Sequence, residues 1–373
     1  MRIEKLRTYR FQMDLDEPIA DARNTIRRRG CVLVRLELEG GLVGWGEAAA
    51  FAGCEELVVA TLRFLGEKIE GWDGSEVASV HDRLMHETQH FGRRGVVVSA
   101  ISAIDCALWD ALGKAAGLPV YKLLGACRSA IRTYWNAGYY PGDDAHARAA
   151  LRASIERVVE RGALGAKIKI GRFDAKDDAE RIRIARELLG AERDLMVDAN
   201  ACLHRRALHT LDRACLAHDV RWIEEPVPLA RLATLREVRE RTTTPIAGYE
   251  LEMTLPGYAE LIEERVVDVV QPDTIWSGGI TTCMRVAAVA AAHATELVPH
   301  NFASVVALAS NAHLVAATPT GGWLELDSND NPFLWDLDPT GRWVPDQGRI
   351  DLPDLPGLGV EPDVARLAGY EVR

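Results

Sequence analysis

From about residue 130 the chain repeats one pattern: a short apolar segment, then a longer amphipathic one. The short segments read TYWNAG, AKIKIG, LMVDAN, RWIEEP, PIAGYE, VVDVVQPD, ELVPHN and WLELD. Between them lie stretches such as DDAERIRIARELLG and LATLREVRERT, with apolar residues at helical spacing. Alternation of strand and helix implies right-handed βαβ units and a parallel sheet. Eight such strands close most economically into a barrel. An open, doubly wound sheet is the rival. Its nucleotide-binding versions lose support because no GxGxxG follows a strand and no GxxxxGK[ST] occurs.

The first part of the chain reads differently. CVLVRLELEGGLVGWGEA is an alternating strand, a GG turn and a second strand, which is a hairpin. VVVSAISAIDCALWDALGKAAG is a helix that ends on a glycine cap. Residues 1–125 therefore read as an α+β unit set before the barrel. The chain of 373 residues is long enough for a large core.

The strand ends carry the chemistry. In a strand, residues two apart share a face, so Lys167 and Lys169 of GAKIKIGR project to one place. Like charges side by side are costly unless something negative faces them. The next strands end at or near Asp198, Glu224, Glu250, Asp273 and His300. Barrels of this kind gather such residues at one mouth. Three carboxylates there repel one another unless a cation joins them, and an all-oxygen set selects a hard ion, Mg²⁺ above others. The lysines would then face an anionic substrate, and two cations beside a metal should favour proton loss from Lys169, which can act as a base.

These residues resemble the enolase superfamily, specifically the mandelate racemase group. The motifs are KIK at 167–169, VDAN at 197–200, IEEP at 223–226, AGYE at 247–250, QPD at 271–273 and VPH at 298–300. AHLVAATPTGGWLE (312–325) and DLPGLGV (354–360) add to the likeness. The resemblance covers the whole chain. It implies an α/β fold, a modified TIM barrel (β/α)7β with an N-terminal α+β capping domain. On that pattern 1–125 is the capping domain, 126–326 the barrel, and 327–373 a segment returning to the cap. Related muconate-lactonizing enzymes carry a lysine on the sixth barrel strand; this chain has Asp273 there and a histidine on the seventh.

The resemblance also implies roles. Asp198, Glu224 and Glu250 would bind one Mg²⁺ per subunit. Asp273 would orient His300, and Lys169 would be a second acid/base on the opposite face of the substrate. Lys167 and Asn200 would contact the substrate carboxylate or hydroxyls, and Glu325 would donate to the developing oxyanion. The expected activity is Mg²⁺-dependent dehydration of an acid sugar, through an enediolate, to a 2-keto-3-deoxy acid. The alternative is a racemase, epimerase or lactone cycloisomerase acting on a 2-hydroxy acid. Loops near DLDEPIADARN (14–24) and AAAFAGCEE (48–56) are expected to close over the mouth. Arg23 and Phe51 from the cap, and Tyr249 and Trp276 from the barrel, are the candidate specificity contacts. The resemblance also implies a homo-oligomer.

Competing signals are weaker. HETQH at 86–90 matches HExxH, the zinc metallopeptidase pattern, but no third ligand with recognisable spacing follows. A net charge of −11 argues against binding nucleic acid or an anionic membrane. Seven cysteines without a CxxC read as reduced thiols and hence a cytoplasmic protein. The start, MRIEKLRTYR, has no apolar signal core.

Overall fold

The computed structural model describes residues 1–51, 53–141 and 144–372. Three antiparallel strands open the chain: β1 (Ile3–Ala20), β2 (Thr25–Leu38) and β3 (Leu42–Ala48). β2 and β3 form the expected hairpin. Its turn needs glycine, since Gly40 and Gly41 sit at φ 81° and 78°. Helices Glu55–Ile69, Val77–Thr88 and Val96–Ala116 cover this sheet. The last lies so close to β3 that a Cβ on Gly44 or Gly46 would collide with the carbonyls of Ala107 and Ala103. That helix is apolar and long enough to cross a membrane, yet protein buries it, with Ile101, Ile104 and Leu108 in the core.

The second sheet is parallel and curls into a barrel. Its strands are β4 (Ala130–Ala137), β5 (Gly165–Lys169), β6 (Asp194–Asp198), β7 (Val220–Glu224), β8 (Ile246–Gly248), β9 (Val269–Val270), β10 (Glu296–Leu297) and β11 (Trp323–Leu326). Each pairs with the next along the chain, β11 pairs with β4, and a parallel bridge from Leu297 to Gly321 closes the ring. A helix separates each pair of consecutive strands, so the order is (β/α)7β. Tyr134, Met196, Trp222, Ala247, Val269, Val298 and Trp323 fill the interior, with the Tyr134 ring edge-on to Trp222 at 5.7 Å. This apolar plug leaves the polar side chains only the C-terminal mouth.

Residues beyond β11 run back across the molecule. β12 (Arg349–Asp351) pairs antiparallel with β4, Leu358 N–H donates to Asp110 at 2.7 Å, and Glu371 bridges to Phe11. Two buried carboxylates dock the N-terminal sheet and helices onto the barrel. Asp105 accepts the Thr281 N–H at 2.9 Å, at the start of helix Gly279–Ala292. Glu47 accepts the Ser304 hydroxyl at 2.5 Å and the Ala307 N–H at 3.2 Å, at the start of helix Val305–Ala317. Each places a carboxyl acceptor where a helix presents free N–H groups.

Candidate active site

Going round the barrel mouth, β5 supplies Lys167 and Lys169, β6 Asp198 and β7 Glu224. Glu250 follows β8, Asp273 follows β9, His300 follows β10, and Glu325 lies on β11. All of these side chains except Glu250 are more than nine-tenths buried. A cavity of about 1010 Å³ opens over them, lined from the barrel by Lys167, Lys169, Glu250, His300 and Glu325.

Three basic groups meet five carboxylates. Lys169 Nζ lies 2.5 Å from Asp198 Oδ2. Lys167 Nζ bridges Glu224 and Glu325, at 2.5 Å to each. His300 Nε2 is 3.2 Å from Glu250, and its Nδ1 is 2.8 Å from Asp273 Oδ2. Burial opposes a charged Lys169, but Asp198, Tyr139 and Glu224 together outweigh it and raise the ammonium above its ordinary value. Burial likewise opposes a charged His300, and Glu250 with Asp273 outweighs it, lifting the imidazole to about 10.

The carboxylates crowd one another. Burial, with Asp198 and Glu325 adding to it, pushes Glu224 up to about 7 against the pull of Lys167. Burial and then Glu250, Asp198 and Glu224 raise Glu225 well above the carboxylate range, and its Oε1 is buried with no hydrogen-bond partner. As the side chains stand, no three His, Cys, Asp or Glu among the described residues converge on one point. The lysine ammoniums and the imidazole occupy the places between them. The donor chemistry nonetheless fits a hard cation: carboxylates from three adjacent strands, all oxygen, with an orphaned fourth beside them.

The His300–Asp273 pair is held from behind. Asn311 donates to Asp273 Oδ1 and to the His300 carbonyl, both at 3.1 Å, and accepts from the Thr274 N–H at 3.0 Å. Asp273 Oδ1 also accepts the Ile275 N–H at 3.1 Å.

Other expected residues fall as follows. Asn200, Trp276, Arg23 and Phe51 all line the cavity. Phe51 stacks on Trp276 at 4.8 Å, and Trp276 meets His300 edge-on at 6.2 Å. Tyr249 does not belong to the mouth. Glu250 takes the cavity position, and Tyr249 packs in the core, 1% exposed. Glu325 accepts the Asn301 N–H at 3.0 Å and faces Lys167, and Lys167 with His300 holds its carboxyl below the ordinary value against burial. HETQH makes no zinc face: the helix stops at Thr88, before His90, and Glu87 pairs with Lys68 and Arg83.

Sequence reasoning missed Glu225, Tyr139, Asn136, Arg29 and Phe302, all of which line the cavity. Glu225 was legible as the second acid of IEEP. Its φ of 39° turns the backbone at the strand end, so the rule that neighbours face opposite ways fails there. Arg29 carries no local signal, since only the docking of β2 against the barrel brings it to the mouth, whereas Asn136 lies near the end of β4 in the TYWNAG segment.

Comparison with known proteins agrees with this geometry. Residues 5–125 match the mandelate racemase / muconate lactonizing enzyme N-terminal domain, and residues 150–366 match the enolase C-terminal domain-like family. The arabinonate dehydratase of Saccharolobus solfataricus is 32% identical over 365 residues, covering 96% of each chain. The D-galactarolactone cycloisomerase of Agrobacterium fabrum is 31% identical over 97% of this chain and 96% of its own. The structure of L-talarate/galactarate dehydratase from Salmonella typhimurium LT2, liganded with Mg and L-lyxarohydroxamate, superposes with a TM-score of 0.88 at 28% identity, covering 100% of this chain and 93% of that one. The chain belongs to the mandelate racemase / muconate lactonizing enzyme family of the enolase superfamily.

Proposed function

We propose that this chain is a Mg²⁺-dependent acid-sugar dehydratase. It removes the proton alpha to the substrate carboxylate and expels the β-hydroxyl, giving a 2-keto-3-deoxy acid. The observation that carries the reading is the placement of two proton-transfer groups, Lys169 and His300, at the two ends of one carboxylate arc. The dehydratase relatives support it.

In this reading Asp198, Glu224 and Glu250 hold one Mg²⁺ per chain. When bound, it would neutralise charge that builds on the substrate carboxylate and leave Lys169 without its counter-ion. The remaining work falls to the chain itself. Asp273 fixes His300 Nδ1 and leaves Nε2 toward the cavity. From there Nε2 either takes the alpha proton or gives one to the departing hydroxyl, which leaves as water. Lys169 makes the complementary transfer from the opposite face, and the enol product then becomes the keto acid. Lys167 and Asn200 bind the carboxylate end, with Glu325 holding Lys167 in place. The N-terminal part, residues 1–125, covers the tail of the substrate through Arg23 and Phe51.

The second reading is racemisation, epimerisation or lactone cycloisomerisation. It is favoured by each base having its own acidic partner, so that either can exchange a proton alone. Proton NMR in D₂O with Mg²⁺, over a panel of acid sugars and 2-hydroxy acids, decides between the two. Loss of the alpha-proton signal with a 2-keto-3-deoxy product is the expected result. Exchange without a new constitution would replace dehydration by racemisation or epimerisation, silence with these acids but turnover of an acid-sugar lactone would leave cycloisomerisation, and silence with both would defeat the two readings.

A further inference from the structure

The far wall of the cavity is formed by β2 and β4 and carries polar atoms that the chemistry above does not use. Arg29, on β2, lines the cavity with its side chain 5% exposed. Its Nη2 lies 2.7 Å from Asp327, which is 1% exposed, and its guanidinium sits 4.6 Å over the Phe302 ring. Its Nε and, apart from that ion pair, its Nη2 are buried without a hydrogen-bond partner. Asn136, on β4, is 1% exposed and lines the same cavity with Oδ1 buried and unpartnered.

These are two Arg29 donors and one Asn136 acceptor without hydrogen-bond partners, on a wall whose buried charges cancel. Leaving such atoms unpaired is costly, so the wall is complementary to a group that both donates and accepts. A hydroxyl does both. A carboxylate only accepts: it could meet the Arg29 N–H groups but would set an oxygen against Asn136 Oδ1. Asp327 already neutralises Arg29, so a second anion buried there would have no unspent cation. Arg23, Arg27 and Arg28 lie at the rim and are exposed, where water and salt screen them. Arg28 is already paired with Asp14 at 2.6 Å.

We infer that the site takes a substrate with a single carboxylate and a neutral polyhydroxylated tail, of the aldonate class rather than a diacid, and that Arg29, with Asn136, reads that tail. The inference rests on the acid-sugar reading above and narrows it. Discrimination of this kind is steep, because a buried polar group left unpaired penalises the wrong ligand.

The test uses the intact chain with Mg²⁺ and pairs of acids of matched configuration, the aldonate against the aldarate, such as galactonate with galactarate and gluconate with glucarate. Alpha-proton loss in D₂O and 2-keto acid formation are followed for each. The expected result is at least a tenfold higher kcat/KM for the aldonate of the productive pair. Arg29→Met should lower that kcat/KM about tenfold, mainly through KM, and narrow the preference. Equal or better turnover of the aldarate would overturn the inference while leaving the acid-sugar reading in place. Turnover of neither class would overturn both. An Arg29→Met protein that keeps the full preference would remove Arg29 from the argument, and if Asn136→Ala also keeps it, the wall does not read the tail.

Discussion

Lys169 Nζ and Asp198 Oδ2 lie 2.5 Å apart at the ends of adjacent strands, both buried. Strands β5 and β6 pair in register at these two residues, so the backbone itself sets the contact. A candidate base thereby touches a candidate metal ligand, and whatever changes one changes the other. On the far side of the arc His300 touches Glu250 in the same way.

Asp198→Asn should abolish Mg²⁺-dependent turnover, lowering kcat by at least about a thousandfold, as losing a main electrostatic element of a site does. The isosteric amide should leave the fold intact by circular dichroism. It strands Lys169 as a buried charge, so a lower melting temperature is also expected. Full activity in this variant would sink the metal assignment.

His300→Asn and Lys169→Ala should separate the two proton transfers. Loss of His300 should stop product formation yet leave alpha-proton exchange through Lys169; loss of Lys169 should leave whatever exchange His300 performs alone. Single-turnover NMR in D₂O reads both. If neither variant alters any proton transfer, the two-base arrangement does not operate.

Asn311 touches no cavity atom but holds Asp273 and the His300 carbonyl. Asn311→Ala should lower kcat by roughly ten- to a hundredfold, the range seen when supporting partners of a site are removed, with KM little changed. The pH–rate profile should move as well, since Asp273 loses one of the donors that fix it. A variant that is only less stable, with an unmoved profile, would make Asn311 structural.

Much of this was written in the sequence. The ends of the parallel strands announce themselves because an apolar run stops abruptly on Lys, Asp, Glu or His, and a barrel can deliver those ends only to one mouth. The short strands were over-read: VVDVVQPD suggested a longer strand than Val269–Val270. The long β1 went unseen because its exposed and buried positions do not alternate cleanly. Tyr249 was misplaced because proximity to Glu250 in sequence says nothing about which side of a turn a ring takes. Arg29 meets Asp327 across almost the whole chain, and no local period encodes such a contact.

Glu47 gives a prediction about stability that is independent of the site chemistry. It joins β3 to the start of the helix that carries Asn311. Burial lifts its carboxyl from the ordinary 4.5 to about 7, and the Ser304 hydroxyl, the Cys31 thiol and the N–H groups of Ser304 and Ala307 only partly offset that. A group raised in the folded chain holds its proton where the unfolded chain has lost it. Its contribution is therefore whole below pH 4.5 and lost as pH rises through about 7. Glu47→Gln resembles the protonated form at every pH. Between pH 5 and pH 8 it should flatten the decline in melting temperature. At pH 8 it should be the more stable protein, by an amount bounded at on the order of 3 kcal/mol. Parallel melting curves for the two proteins across that range would show that Glu47 does not titrate there, and a variant less stable at every pH would show that the ionised carboxylate is the form that docks the helix.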